Sequence, residues 1–343
     1  MSDQTNNRKI EHIQAIENDA LTDRQGNWFD EIRLTHRALP EVALDEIDPS
    51  CEFLNKRLRF PLLISSMTGG DHQLVRTINH NLAVAAEHCQ VAMGVGSQRV
   101  MFSSPEAKES FALRKLAPST VLIANIGAVQ LNYGMSLEQI NQAIDVLEAD
   151  ALFLHLNPLQ EAVQPEGDTN FSGLTHAIGQ LQSELSVPII LKEVGSGLSP
   201  ADIQAGLNQQ IRYFDLAGSG GTSWSRIEHH RRTDPVHDLG LKFQDWGIPT
   251  PLALKLAEPY LDQATLIASG GIRDGIDMAK SVILGASLCG VAAPLLRPAM
   301  ESADAVISAI EKLRREFVTA MFLLGTPDTA ALFRNKALIV EER

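Results

Sequence analysis

The sequence has few cysteines, few basic residues and no long apolar run. The three cysteines, Cys51, Cys89 and Cys289, are far apart, which predicts packing thiols rather than disulfides or a zinc cluster. Acidic residues outnumber basic ones by 42 to 29, which argues against a surface that binds nucleic acid or anionic lipid. No segment resembles a membrane span or a signal peptide. We therefore expect a cytoplasmic protein that binds neither nucleic acid nor membranes.

Short apolar runs alternate with amphipathic segments from Phe60 onward. The runs are 62–67, 91–95, 121–126, 151–156, 188–194, 211–217, 265–269 and 287–292. This alternation predicts βα units around a parallel sheet. Eight units fit an α/β fold of the TIM (β/α)8-barrel type, with an open doubly wound sheet as the alternative. We expect an N-terminal extension at 1–60 and a barrel at 61–343.

The sequence also indicates two helix starts, one long helix and one long loop. Ser136, three residues before Gln139, predicts a capping box, and Ser199 before Pro200 predicts a second helix start. The apolar stripe from Val306 to Leu324 predicts a long final helix. The loop at about 219–249 carries Arg226, Glu228, His229, His230, Arg231, Arg232 and His237. Loops of this length are usually functional, so we expect a lid or a subunit contact.

Glycine-rich runs follow the sixth and seventh predicted strands, at 217–222 and 268–273. Barrel active sites lie where strands end, and glycines allow backbone N–H groups to approach an anion closely. Either run alone would be explained by a tight turn. Two runs on neighbouring strands predict a phosphate site.

Lys192 ends the fifth predicted strand in an otherwise apolar run. An ion pair with Glu193 would explain it, but adjacent strand residues point to opposite faces. The functional alternative is a fixed positive charge beside the pyrimidine end of a flavin.

Other polar residues allow two interpretations each. Glu161 follows the fourth strand and could ligate Mg²⁺ beside a phosphate site or open a solvated helix turn. His155 could be an acid/base group or a hydrogen-bonded rim histidine. Arg8 and Lys9 could be surface cations, or could form an arm that folds over a diphosphate and assists Arg99.

Several motifs together resemble the type 2, FMN-dependent isopentenyl-diphosphate isomerases. They are Arg-Lys-Ile-Glu-His at 8–12, Ser-Met-Thr-Gly-Gly at 66–70, Gly-Ser-Gln-Arg at 96–99, Asn-Pro-Leu-Gln-Glu at 157–161, Lys-Glu-Val-Gly at 192–195, Gly-Gly-Thr-Ser at 220–223 and Ser-Gly-Gly-Ile-Arg at 269–273. The first and fourth are the most specific, since the lysine and the glycine runs recur in other FMN barrels. The resemblance implies reversible interconversion of isopentenyl and dimethylallyl diphosphate in isoprenoid biosynthesis. It also implies reduced FMN as acid/base cofactor, Mg²⁺, NADPH as reductant, and a homo-oligomer, either tetramer or octamer.

The resemblance also assigns roles to individual residues. FMN would be held by Ser66, Met67, Thr68, Ser97, Asn125, Lys192, Thr222, Gly270, Gly271, Ile272, Arg273, Ala293 and Pro294. The substrate would be held by Arg8, Lys9, Ser97, Gln98, Arg99 and Gln160, with Glu161 as the Mg²⁺ ligand. His155 and Gln160 would assist proton transfer.

Two other functions fit parts of this pattern. An FMN-dependent 2-hydroxy-acid oxidase would use His229 or His230 as a base, but leaves Arg8, Lys9 and Glu161 unexplained. A phosphate-binding barrel without catalysis would be colourless and insensitive to changes at Lys192.

Overall fold

The computed structural model describes residues 2–67, 69–231 and 238–340 of the chain. Thr68, Arg232 and His237, named from the sequence, lie outside the described residues, as does the side chain of Arg8. None of the helices within the described ranges is long and apolar enough to span a bilayer.

Eight parallel strands close into a barrel, in the order β10-β3-β4-β5-β6-β7-β8-β9. The strands are β1 (Cys51–Phe53), β2 (Lys56–Leu58), β3 (Leu62–Ile64), β4 (Ala92–Gly94), β5 (Leu122–Gly127), β6 (Ala151–Leu156), β7 (Ile189–Glu193), β8 (Tyr213–Asp215), β9 (Thr265–Ser269) and β10 (Ala286–Val291). Each predicted apolar run contains or overlaps one barrel strand. The TIM-barrel prediction is confirmed, and the open-sheet alternative is wrong.

Helices surround the barrel. They are α1 (Ser2–Asn18), α2 (Gln73–Cys89), α3 (Leu137–Leu147), α4 (Pro158–Val163), α5 (Leu174–Glu184), α6 (Pro200–Asn208), α7 (Trp224–His230), α8 (Leu239–Lys242), α9 (Thr250–Ala257), α10 (Gly275–Ile283), α11 (Ala293–Glu301), α12 (Ala303–Leu324) and α13 (Thr329–Leu332). The capping boxes of Ser136 and Ser199 are both present. Their side chains accept from backbone N–H groups that would otherwise lack partners in the first turn.

The N-terminal extension has more regular structure than its polar sequence predicts. Its first part is the helix α1, and β1 and β2 form an antiparallel hairpin. Phe53 and Leu58 of the hairpin are buried among inward-facing side chains of the barrel. These segments gain their stability from tertiary burial, which local propensity does not reveal.

The barrel interior is apolar at one level and polar at the next. The apolar side chains include Leu63, Ala92, Ile123, Phe153, Ile190, Ile267 and Leu288. Side chains alternate between the two faces of a strand, so the residues two positions further on also point inward. These residues are Ser65, Gly94, Asn125, His155, Lys192, Ser269 and Gly290. Parallel strands therefore bring polar groups together where the barrel opens.

Candidate active site at the carboxyl ends of the strands

A cavity lies at the carboxyl ends of the strands and is partly covered by α1 and α7. Most residues named from the sequence line it: Lys9, Ser66, Met67, Ser97, Arg99, Asn125, His155, Gln160, Glu161, Lys192, Thr222, Gly270, Gly271, Ile272, Arg273, Ala293 and Pro294. The covering elements add His12, Ile13, Ile16 and Trp224. One cavity thus contains both the residues expected to hold FMN and those expected to hold a diphosphate.

Lys192 enters the cavity from β7 and pairs with Asp215, a carboxylate outside the motifs described above. Its Nζ lies 2.6 Å from Oδ2 of Asp215 on β8 and 3.4 Å from Oγ of Ser269. Ser269 Oγ donates to the other carboxylate oxygen of Asp215 at 2.5 Å. Phe153 lies beneath, with its ring centroid 5.6 Å from Nζ. The ammonium is therefore held in place by three strands.

Glu193 points to the opposite face from Lys192, as the alternation of strand residues requires. Its Oε2 accepts hydrogen bonds from four successive backbone N–H groups, those of residues 194–197. Burial raises the pKa of Glu193, and these four donors oppose that effect. Glu193 thus fixes the loop after β7, and the proposed pairing with Lys192 is wrong.

His155 is oriented by a hydrogen bond to the amide side chain of Asn125. Asn125 Nδ2 donates to the carbonyl of Val95 at 3.0 Å, which leaves its Oδ1 to accept from Nδ1 of His155 at 2.7 Å. The imidazole therefore carries its proton on Nδ1 in this contact.

Gln98 occupies a different place from the expected substrate contact. It is fully buried, its Nε2 donates to the carbonyl of Ala143, and its Oε1 accepts from the backbone N–H of Asn125. The side chain of Gln98 does not line the cavity, so a contact of Gln98 with the substrate stays a prediction. In this structure Gln98 supports Asn125, because its amide satisfies buried backbone groups instead of facing the cavity.

The glycine turns after β8 and β9 pack directly against each other. Gly270 and Gly271 have φ values of +92° and +83°, which side chains other than glycine rarely adopt. A Cβ on Gly270 would collide with the carbonyl of Gly218, and one on Gly221 would lie 2.6 Å from the backbone nitrogen of Gly271. The two runs therefore form one surface of exposed backbone, which suits a phosphate group.

Arg273 fastens these turns to the N-terminal extension. Its guanidinium contacts Asp23 at 2.8 Å and the carbonyl of Gly220 at 2.9 Å, and it also donates to the carbonyl of Arg24. Its backbone N–H donates to Asp277, which also accepts from Asn27. Arg273 lines the cavity, but much of its hydrogen-bonding capacity already holds the site together.

A second polar region of the cavity contains Arg99 and Glu161. Arg99 contacts Asp168 at 2.7 Å, and the backbone N–H of Asp168 donates to Glu161 at 2.7 Å. Asn157 donates its Nδ2 to the other Glu161 oxygen at 2.9 Å, while its own Oδ1 is buried without a hydrogen-bond partner. Asp168 was absent from the expected site residues, although it fixes the position of Arg99.

Glu228, on α7, connects the covering elements to the cavity. The carboxylate is fully buried, and its Oε1 accepts from Gln160 at 2.8 Å and lies 3.1 Å from Nε2 of His12. Its Oε2 pairs with Arg231 at 2.6 Å. Burial by itself raises the pKa of Glu228, but His12, Gln160 and Arg231 outweigh burial and lower it to about 2. The sequence placed Glu228 in a long loop and offered no signal for this role.

The two histidines of the alternative oxidase mechanism lie elsewhere. Neither His229 nor His230 lines the cavity. The Nε2 of His230 lies 2.7 Å from Asp19, which also accepts from Arg226. These contacts join α7 to the segment that follows α1.

The residues present fit the chemistry of FMN and of Mg²⁺. The buried hydroxyls of Ser65 and Ser66 have no hydrogen-bond partner within the described structure, and both residues line the cavity that Lys192 also lines. A flavin ring offers acceptors and donors for such groups. Glu161 and the unpartnered Oδ1 of Asn157 are oxygen ligands of the kind Mg²⁺ prefers. No cluster of three acidic, histidine or cysteine ligands occurs among the described residues, so water or substrate oxygen atoms would complete the coordination of such an ion.

Comparison with known proteins first gives the class. A family model for FMN-dependent dehydrogenases matches residues 158–339. The flavin-binding domain of baker's yeast flavocytochrome b2 has 18% identity, a TM-score of 0.68, and coverage of 92% of this chain and 77% of that chain. A mandelate oxidase mutant has 16% identity, a TM-score of 0.61, and coverage of 94% and 90%. At these identities the two structures show the fold alone. With the family match, the chain is an FMN-family (β/α)8 barrel.

Curated relatives then give the particular family. An isopentenyl-diphosphate delta-isomerase of Hydrogenovibrio crunogenus is 60% identical over 334 residues, which cover 97% of each chain. The enzyme of the same name from Paracoccus zeaxanthinifaciens is 58% identical, with coverage of 97% and 96%. The enzyme from a Nostoc species is 45% identical, with coverage of 98% and 97%. The chain belongs to the isopentenyl-diphosphate delta-isomerase family.

Proposed function

We propose that this chain interconverts isopentenyl diphosphate and dimethylallyl diphosphate with the help of reduced FMN and Mg²⁺. The observation that carries the proposal is that one cavity has two chemically different regions. Lys192 and the glycine turns form a region suited to a flavin and its phosphate, and Arg99 and Glu161 belong to a region suited to a metal-bound diphosphate.

The flavin region would use backbone and side-chain groups together. The turns at Gly221, Gly270 and Gly271 would receive the phosphate of FMN, since each lines the cavity with backbone atoms. Ser66 and Lys192 would face the ring, where the ammonium favours negative charge. When bound, reduced FMN supplies an electron-rich ring that can exchange a proton and stabilise positive charge on carbon.

The diphosphate region would hold the charged end of the substrate. Arg99 is oriented by Asp168, and Lys9 approaches the same cavity from α1. Glu161 would place Mg²⁺ against the diphosphate oxygens, since its carboxylate is itself fixed by two hydrogen bonds. Binding energy from this end would orient the hydrocarbon tail.

The reaction adds a proton to the alkene at one carbon and removes a proton from another, so both proton positions must be controlled. His155 and Gln160 line the cavity and are held by Asn125 and Glu228. We propose that these two side chains assist the proton transfers. Trp224 and the apolar face of α1 would keep water away from the positive charge that develops on carbon.

The geometry favours the isomerase over the hydroxy-acid oxidase. The oxidase would need a histidine base in the cavity from the long loop, and neither His229 nor His230 lines it. NADPH as reductant and a homo-oligomer, either tetramer or octamer, are further parts of the proposal. The cytoplasmic location stays a prediction.

An anaerobic assay tests the proposal. The purified protein is given FMN, dithionite, Mg²⁺ and isopentenyl diphosphate, and dimethylallyl diphosphate is measured. We expect product only when the flavin is reduced, and no bleaching of oxidised flavin by lactate or mandelate. Bleaching by a hydroxy acid without isomerisation would establish the oxidase instead.

A further inference from the structure

We propose that Asp215, held by Ser269, is a positioning residue that keeps Lys192 charged and directed at the flavin in both oxidation states. The inference rests on the proposed function, because it takes the flavin to lie beside Lys192. It adds a role for a carboxylate that does not line the cavity and that touches neither flavin nor substrate.

The contacts of Asp215 are complete and specific. Its side chain is fully buried within the barrel. One carboxylate oxygen lies 2.6 Å from Nζ of Lys192, and the other accepts from Ser269 at 2.5 Å. Both oxygens are thus engaged, and the β7–β8 register places Lys192 directly opposite Asp215. Asp215 therefore fixes the orientation of the Lys192 ammonium from inside the barrel.

Lys192 has few other charged neighbours inside the barrel. On β6, in register with Lys192, lies His155, which is bonded to Asn125. Phe153 and Ser269 also lie close to Nζ, and both are neutral. Glu193, the next residue, points outward and is occupied by four backbone N–H groups. Asp215 is therefore the carboxylate that neutralises Lys192.

A role in stability alone does not explain this arrangement. Replacing a buried ion pair with apolar residues is often neutral or stabilising, and apolar residues fill the next layer of this barrel. The pair instead occupies the layer that borders the cavity. A lysine at this position without a counter-ion would lose its proton in the low-dielectric interior.

The pH dependence of flavin reduction should differ between the wild type and Asp215→Asn. With Asp215 present, the ion pair already provides a fixed positive charge beside the ring in either oxidation state. In Asp215→Asn, Lys192 is neutral beside the oxidised ring and takes up a proton when the ring gains negative charge. One additional proton per two electrons steepens the fall of the reduction potential by about 30 mV per pH unit.

The main experiment is an anaerobic redox titration of FMN-loaded protein between about pH 6 and pH 9. We expect the steeper slope in Asp215→Asn and the wild-type slope in the double variant Lys192→Met, Asp215→Asn, which has neither buried charge. Asp150→Asn is the matched control, because Asp150 is also ion-paired, with Lys56 at 2.7 Å, but precedes β6 at the opposite end of the barrel. A wild-type slope in Asp215→Asn would overturn the inference.

A second experiment needs no flavin, so it separates failure of this inference from failure of the proposed function. Thermal unfolding of the flavin-free protein is measured for Asp215→Asn, Lys192→Met and the double variant. Each single change leaves one member of a buried pair without its partner, so we expect the double variant to be less destabilised than the sum of the two single losses. If only the double variant folds, the same coupling is demonstrated. Additive losses, or failure of all three variants to fold, would show that Asp215 is a packing residue and refute the inference.

Discussion

The replacement Glu161→Gln gives the sharpest test of the proposed diphosphate region. Glu161 is only 7% exposed, and its two oxygens accept from Asp168 N–H and Asn157 Nδ2. A glutamine fits the same space and keeps one acceptor for Asp168. Its new N–H₂ group would oppose Asn157 Nδ2, but the Asn157 side chain can rotate and present Oδ1, which has no partner in the structure. The fold should therefore tolerate the change.

The expected functional loss follows from the missing charge. A contact to a full charge is worth about 1.5–3 kcal/mol, roughly twice that of a neutral contact. Loss of about 2 kcal/mol corresponds to a roughly thirtyfold higher Mg²⁺ concentration for half-maximal rate. FMN content and melting temperature should stay near those of the wild type.

The assay is a Mg²⁺ titration of isomerase activity at saturating FMN and substrate. Glu184→Gln, an exposed carboxylate on α5, is the matched control and should titrate as the wild type does. If Glu161→Gln has the wild-type Mg²⁺ requirement, Glu161 is not the metal ligand. If it loses FMN, the two regions of the cavity are not independent and the reasoning fails.

Three other changes test separate parts of the structure. Gly270→Ala should weaken FMN binding at least about tenfold by equilibrium dialysis, because φ is +92° and strained backbone costs about 1–3 kcal/mol; unchanged affinity would contradict the phosphate site. Arg8→Ala should raise the substrate KM about tenfold with flavin content unchanged, and loss of flavin instead would place the arm elsewhere. Burial, followed by the charge of Asp274, raises the pKa of Asp277 from 3.8 to about 6. The stability this carboxyl contributes is therefore present below pH 3.8 and lost as pH rises through about 6. Asp277→Asn keeps an acceptor for Arg273 and Asn27. Its melting temperature should rise relative to that of the wild type as pH rises from about 4 to about 8. A difference in melting temperature that does not change with pH would contradict the raised pKa.

The barrel was predictable because its signals are local. Apolar runs of the right length recur with helical stripes between them, and each strand forms where its run lies. The capping boxes at Ser136 and Ser199 depend on residues three apart, so the sequence shows them directly. Strand ends were less accurate: the run at 211–217 is a strand only over Tyr213–Asp215, because the residues beyond already belong to loops that shape the cavity.

Residues with distant partners were not predictable. Asp215 ends a short strand and reads as an ordinary rim carboxylate, yet its function depends on Lys192, which lies 23 positions earlier. Glu228 reads as part of a charged loop, but it is buried because His12, from the other end of the chain, and Gln160 reach it. Gln98 reads as a ligand within a motif, and only packing against α3 shows that its amide is used internally.

The sequence by itself determined the barrel, the glycine turns and the inward direction of Lys192. It also determined that Glu161 follows the fourth strand of the barrel. Each of these follows from periodicity, backbone conformation or residue type over a few positions. Only the tertiary structure decided which charges meet, because a buried charge is stable only where folding brings a partner to it. The pairing of Lys192 with Asp215, and the meeting of Glu228 with His12, are therefore properties of the closed barrel and of the segments that cover it.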